Sequence, residues 1–164
     1  SAGDKAYSLV GNIPYNLSGF IIRKITQLEP APEAVVLLVQ QEVAERMTAA
    51  PPAMNLLGLA VQLWGRADRL LSVPRSCFWP EPEVDSSLVV LTPHKEQGLL
   101  QAEREKILGV AKLCFQAKRK QIGGVLKRAW EEAEAHARLA RAQIPATARP
   151  QELSLAQWRR LAAG

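Results

Sequence analysis

The sequence predicts an α/β segment followed by a small all-helical domain, and three features point to it. Short apolar runs of strand type alternate with helical apolar patterns over the first 95 residues. One of these runs, Ala34 to Val39, is an unbroken Val, Leu and Ala stretch, as expected of a strand buried on both faces of a parallel sheet. From Glu96 onward Pro and β-branched residues thin out, while Ala, Leu, Lys, Arg, Glu and Gln dominate. The boundary is therefore expected between Thr92 and Gln97, giving domains at 1–95 and 96–164.

Taken in order, Ser1 to Ala6 shows no periodicity, and Tyr7 to Val10 is a short strand leading into Gly11. Ser18 is placed to cap a helix whose apolar face is Phe20, Ile21, Ile22, Ile25 and Leu28, with Pro30 and Pro32 as its stop. After the Ala34–Val39 strand, a helix is expected from Gln41 to Ala49, with Glu42 and Arg46 spaced to pair at i,i+4. Pro51-Pro52 breaks it, and Leu56 to Trp64 resumes a helical pattern that Gly65 ends. Strands are expected at Ala67–Val73 and at Ser86–Leu91, the second closed by Pro93, as antiparallel neighbours at a sheet edge joined by the loop Pro74–Val84. In the last third, helices are expected at Ala102–Phe115, from about Gln121 through Glu134, and after Ser154, where Leu155, Trp158 and Leu161 form an apolar stripe.

The totals limit the function classes. With 164 residues, 48% of them apolar, the chain is expected to be a soluble globular protein with one good core or two small ones. No apolar run approaches the ~20 residues of a membrane span, and nothing at the N-terminus reads as a signal peptide. Cys77 and Cys114 are too few and too far apart for a metal knuckle or a disulfide framework, so no metal is expected and a reducing cytosol fits. Formal net charge is +5, and thirteen of the twenty-one Lys and Arg residues lie in the last 69 positions, densest at Lys118-Arg119-Lys120 and continued by Lys127 and Arg128. Such a patch fits a polyanionic partner. His94 and His136 are isolated and read as surface residues, and Glu131, Glu132 and Glu134 as a solvated helix turn.

Two stretches carry chemistry. In Gly11-Asn12-Ile13-Pro14-Tyr15 a strand ends in Gly and turns through a Pro, presenting one amide side chain, one backbone carbonyl and one ring to the space beyond the sheet. Pro14 biases Ile13 to an extended conformation and so fixes where its carbonyl points. The trio suits a planar amine: the Asn12 side-chain oxygen and the Ile13 carbonyl can accept from its N–H groups while Tyr15 stacks on the ring. The second stretch is Phe78-Trp79-Pro80-Glu81-Pro82-Glu83-Val84-Asp85-Ser86-Ser87, whose alternate prolines hold an extended segment that presents Phe78 as a fixed apolar wall. Trp79 is expected to plug the sheet edge.

Asn-(Ile/Leu)-Pro-Tyr after a short strand resembles the catalytic motif of S-adenosylmethionine-dependent adenine-N6 methyltransferases. With Phe-x-Pro-x-Pro-x-Val-Asp-Ser about sixty residues downstream, the chain resembles the rRNA adenine N6,N6-dimethyltransferases of the KsgA type, which act on small-subunit rRNA. Val39-Gln40-Gln41-Glu42-Val43-Ala44-Glu45-Arg46-Met47, Phe115-Gln116-Ala117-Lys118-Arg119-Lys120 and Arg149-Pro150-Gln151-Glu152-Leu153-Ser154 resemble further segments of that family. The departures are Gln41, where Lys or Arg is usual, Met54-Asn55 in place of Tyr-Gly, and the lack of any Gly-x-Gly turn.

The resemblance implies a Rossmann-like methyltransferase sheet, represented here by its C-terminal part and followed by a small all-α domain. It implies S-adenosylmethionine as cofactor, with Asn12 beside its methionine moiety and most of the cofactor site outside this chain. The target adenine would be clamped between Tyr15 and Phe78, and Asn12, Ile13, Pro14, Tyr15 and Phe78 would form the catalytic corner. Lys118, Arg119, Lys120, Lys127 and Arg128 would grip rRNA phosphates. The compartment implied is the cytoplasm, and a truncated sheet would leave a strand edge open to association between copies. Three rival readings remain: a non-catalytic RNA-binding ribosome-assembly factor, a 23S rRNA adenine methyltransferase of the macrolide-resistance type, and a DNA adenine methyltransferase. The proline loop and the basic tail count against the last.

Overall fold

The computed structural model describes residues 6–94 and 98–163. The expected domain boundary at 95/96 lies outside the described residues. The chain clusters into two compact units, one taking in the described residues of Ser1–Thr48 and Ala60–Gly98, the other Ala49–Leu59 with the described part of Leu99–Gly164. Ala49–Leu59, which sequence order alone would leave with the sheet, thus groups with the helices.

The first unit is built on a four-stranded sheet in the order β1-β2-β4-β3. β1 (Ser8–Asn12) runs parallel to β2 (Ala34–Gln40), and β2, β4 (Ser86–Pro93) and β3 (Gly65–Val73) pair antiparallel, as expected for the last two strands. β4 includes Pro93, which lies opposite Gly65 at the strand's end. There a Cβ on residue 65 would come within 2.2 Å of the Thr92 carbonyl oxygen, so only glycine lets the two backbones meet. A bulge between Arg69 and Leu71 marks β3 as an edge, and Val10 on the opposite edge strand is 81% exposed.

β2 departs from the sequence expectation. Val35, Leu37 and Val39 are buried, but Val36 and Leu38, on the other face, are only half-buried. Helix α2 (Gln41–Met47) packs against β2, β3 and β4 and contributes Val43, Ala44 and Met47 to the core. Helix α1 (Ser18–Ile25) buries Ile22 and Ile25 and leaves Phe20 and Leu28 in solvent; it ends at Ile25, before either proline. Ser18 does not cap it. The cap position is Leu17, and Ser18, fully buried, turns its hydroxyl back to donate to the carbonyls of Pro14 and Tyr15 at 3.3 and 3.2 Å. Helix α3 (Leu56–Trp64) forms as expected, with the division between the two units falling inside it.

The helical unit holds α4 (Gln101–Gln116), α5 (Ile122–Leu126), α6 (Glu132–Arg141) and α7 (Leu155–Ala162). The helix expected from Gln121 through Glu134 is two helices. Ile122 and Leu126 are buried, as are Ala135 and Leu139, each pair at i,i+4. The two pairs are centred thirteen positions apart, so an unbroken helix at ~100° per residue would set them on faces about 140° apart. The extended Glu131 (φ −53°, ψ 142°) breaks the helix and lets both pairs turn inward. Ser154 caps α7 as expected: its hydroxyl accepts from the Gln157 N–H, and Gln157 Oε1 accepts from the Ser154 N–H at 3.0 Å. Trp158 is the largest side chain fully buried here, its ring 5.6 Å from that of Phe115.

The two cysteines differ. Cys77 is exposed, and Cys114 lies wholly buried in α4, where desolvation pushes its thiol up to about 12. At pH 8 almost none of Cys114 would be thiolate. One equivalent of thiol is therefore expected to react with a disulfide reagent in the native chain and two in denaturant; two fast native equivalents would contradict the burial of Cys114.

No helix among the described residues is long and apolar enough to cross a membrane.

Candidate active site

The strand register brings the two chemistry-bearing stretches to one end of the sheet. Asn12, the last residue of β1, lies opposite Leu38, and at that same end Gln40 of β2 and Val73 of β3 both lie opposite Ser86, the first residue of β4. The Asn12–Tyr15 turn therefore leaves the sheet at the edge where the Pro74–Asp85 loop leaves and returns. This is the carboxyl end of the parallel pair, where α/β folds place their ligands.

Each residue of the turn has a separate task. Ile13 donates its N–H to the Leu38 carbonyl at 3.3 Å and buries its side chain, which anchors the turn. Pro14 (φ −55°, ψ 133°) then directs the chain into a 3-10 turn, Tyr15–Leu17. The carbonyls of Pro14 and Tyr15 are both taken, by the Ser18 hydroxyl and, for Pro14, by the Leu17 N–H as well. Among the described residues none donates to the Ile13 carbonyl or to the Asn12 amide, and Asn12 is exposed. Two acceptors on consecutive residues are thus left without a donor among the described residues.

A single hydrogen bond joins the turn to the second stretch: the Tyr15 hydroxyl and the Ser86 Oγ lie 3.0 Å apart, with Ser86 fully buried. The sequence pattern contained Ser86 within Val-Asp-Ser but gave it no role, because a contact across 71 positions leaves no local signature. Its neighbour closes the loop. Asp85 accepts from the Arg75 N–H at 2.9 Å through its side chain and from the Gln41 N–H at 3.0 Å through its carbonyl. Arg75 also meets Glu81 at 3.0 Å and the Glu83 carbonyl at 3.4 Å. Four interactions, in addition to the prolines, therefore hold the loop.

Within the loop Phe78 is extended (φ −116°, ψ 152°) and half-buried, so the next side chain leaves on the other face. Trp79 accordingly stands 97% exposed and does not plug the sheet edge. A cavity of about 390 Å³ opens beside the loop, lined by Gln40, Glu42, Glu45, Arg75, Glu83 and Asp85; it takes in none of Asn12, Tyr15 or Phe78, and its carboxylates would repel phosphate. Gln41, where the family resemblance has a cation, donates its side chain to Glu45 at 3.1 Å. No group of His, Cys, Asp and Glu among the described residues could hold a metal ion.

In the helical unit, Lys118, Arg119 and Lys120 are exposed on the turn after α4, not on a helix face. Arg128 is exposed on the turn after α5. Lys127 is paired with Glu132 at 2.5 Å, and that bond with the lysine's charge holds the Glu132 carboxyl below the usual range. An exposed pair of this kind exchanges readily with another anion. His94 is exposed, and its ring lies 3.1 Å from the Gln62 carbonyl.

These elements define a Rossmann-like methyltransferase fold. The structure superposes on a dimethyladenosine transferase from Plasmodium falciparum with a TM-score of 0.77 at 23% identity, covering 98% of this chain and 67% of that one. It superposes on the 23S rRNA methyltransferase ErmE with a TM-score of 0.74 at 25% identity, covering 99% and 66%. The chain belongs to the ribosomal RNA adenine dimethylase family, whose profile matches residues 2–163. It is 36% identical over 160 residues to ribosomal RNA small subunit methyltransferase A of Acidobacterium capsulatum, covering 93% of this chain and 56% of that protein. To the protein of the same name from Nostoc punctiforme it is 38% identical over 163 residues, covering 94% and 56%. The chain thus spans a little over half the length of these relatives.

Proposed function

We propose that the protein carrying this chain transfers methyl groups from S-adenosylmethionine to the N6 atoms of adenines in small-subunit rRNA, in the cytoplasm. The observation behind this reading is the Tyr15–Ser86 hydrogen bond, which ties the turn carrying the acceptors Asn12 and Ile13 to the loop that carries Phe78. The target base stacks against Tyr15 and Phe78, each such contact being worth about 1–3 kcal/mol. Its amine, a poor nucleophile because the lone pair is delocalised into the ring, donates to the Asn12 Oδ1 and the Ile13 carbonyl. These acceptors draw charge onto nitrogen and orient the lone pair. Pro14 fixes the angle between them.

S-Adenosylmethionine, when bound, supplies an electrophilic sulfonium methyl group. Asn12 fits its methionine end, because an exposed amide at a strand's carboxyl end offers both a donor and an acceptor. No Gly-x-Gly turn occurs in the 164 residues, so the fit of this chain is limited to that end.

The RNA is held by the helical unit. Residues 99–164 carry thirteen basic and six acidic side chains, a net charge of +7. Lys118, Arg119, Lys120 and Arg128 meet phosphates directly, and Lys127 does so by exchanging Glu132 for one. Small-subunit rRNA is preferred to 23S rRNA because identity reaches 36–38% to relatives bearing the small-subunit name, against 25% to ErmE. The test is to incubate the whole protein with immature small ribosomal subunits and methyl-labelled S-adenosylmethionine. N6,N6-dimethyladenosine in digested small-subunit RNA is the expected product. Label confined to large-subunit RNA, to DNA, or to no nucleoside overturns the reading.

A further inference from the structure

We infer that the groove between α4 and α7 is a second RNA contact, one that takes a phosphate and its attached sugar or base; the inference rests on the functional reading above. The groove has a volume of about 340 Å³, within the range of ligand pockets. One wall is the α4 face bearing Glu103, Lys106 and Ile107, neighbours at i,i+3 and i,i+4. The other is the last turn of α7, with Arg159 and Arg160. Leu99, Ile107, Ala162 and Ala163 supply an apolar floor.

Charge identifies the occupant. Three cations face one carboxylate, and that carboxylate is already engaged, since Glu103 accepts from the Leu100 N–H at 2.8 Å. Within the described residues the side chains of Lys106 and Arg159 have no hydrogen bond or ion pair, so neither must give up a protein partner to meet an anion. The α7 wall is also held in place. Arg160 donates to Gln143 Oε1 at 2.8 Å, Gln157 donates to the Gln143 carbonyl at 3.1 Å, and Arg141 donates to the Ala163 carbonyl. A cationic rim over an apolar floor suits a nucleotide, whose phosphate is anionic and whose sugar and base present faces of low polarity. An acidic peptide would satisfy the rim, but the charge of +7 spread over residues 99–164 favours a polymer of regularly spaced anions.

None of these residues belongs to the Lys118–Lys120 cluster, so the two contacts are separable. The experiment measures affinity of the full chain for a transcribed small-subunit rRNA fragment across a salt series, comparing the unsubstituted chain with the Lys106→Ala/Arg159→Ala double variant. Both positions are exposed, and thermal unfolding checks that the fold is retained. The double variant is expected to bind several-fold more weakly and to lose about two from the slope of log K against log salt, about one per phosphate contact. Wild-type affinity and slope in the folded double variant overturn the groove as an RNA contact while leaving the functional proposal standing. A chain with no salt-sensitive affinity for this RNA before substitution overturns both.

Discussion

Asn12→Ala in the whole protein is expected to reduce methyl transfer to small-subunit RNA by about 10²–10³-fold, the ~2.7–4 kcal/mol that one pre-aimed hydrogen-bonding group is worth in a transition state. The reason lies in what surrounds the residue. Asn12 is exposed, and its side chain receives no hydrogen bond from any described residue, so the amide contributes little to folding. Its removal should change stability by no more than ~0.5 kcal/mol. It should also leave RNA affinity nearly unchanged, because the cations proposed to hold the RNA lie in the helical unit. The loss should therefore appear in kcat. Single-turnover transfer measured beside RNA affinity separates these quantities: normal transfer refutes the role of Asn12, and a loss of RNA affinity equal to the loss of rate makes it a binding residue.

The second large effect falls on stability. Trp158→Ala is expected to destabilise the helical unit by ~3–5 kcal/mol, the range for removing a large aromatic from a core. Trp158 is wholly buried at the centre of α7 and packs its ring on Phe115 at the end of α4. Trp158→Phe supplies the contrast. Among the described residues the indole Nε1 has no hydrogen-bond partner, so the smaller ring forfeits volume but no such bond and should cost much less than the alanine. Urea unfolding of the full chain, followed by circular dichroism at a helix-sensitive wavelength, measures both. Equal losses in the two variants would mean that a phenyl ring recovers none of the packing and would overturn this account.

Much of the candidate site was legible because its chemistry is local. Pro14 constrains its own backbone and that of Ile13 before it, so the turn and its two acceptors follow from a few consecutive residues. The stiffness of the Phe78–Pro82 loop is local for the same reason. The strands at 34–40 and 86–93 and the Ser154 cap were readable from β-branched content and from a hydroxyl ahead of an apolar stripe.

What failed to show in the sequence depended on which of several available partners or directions the folded chain selects. Ser18 has the right residue type and position for a cap, yet the carbonyls of Pro14 and Tyr15 claim its hydroxyl. Trp79 looked like an apolar plug because hydrophobicity carries no direction; the extended conformation of Phe78 decides that the two rings part. The break between α5 and α6 follows from a requirement that both buried pairs face one core, and a local periodicity test over either pair alone cannot reveal it. Lys127, expected to grip a phosphate, is held by Glu132 on the next helix.

The order of residues alone determined the turn geometry at Asn12–Tyr15, the rigid run of prolines, the strand and helix types, and the excess of positive charge in the last third, because each depends on backbone restriction or composition over a few positions. Only the tertiary structure decided the sheet order, the meeting of Tyr15 with Ser86, the outward Trp79 and the α4–α7 groove. Those arise where segments tens of residues apart are brought into contact, and which hydroxyl finds which partner is settled by burying the whole core at once.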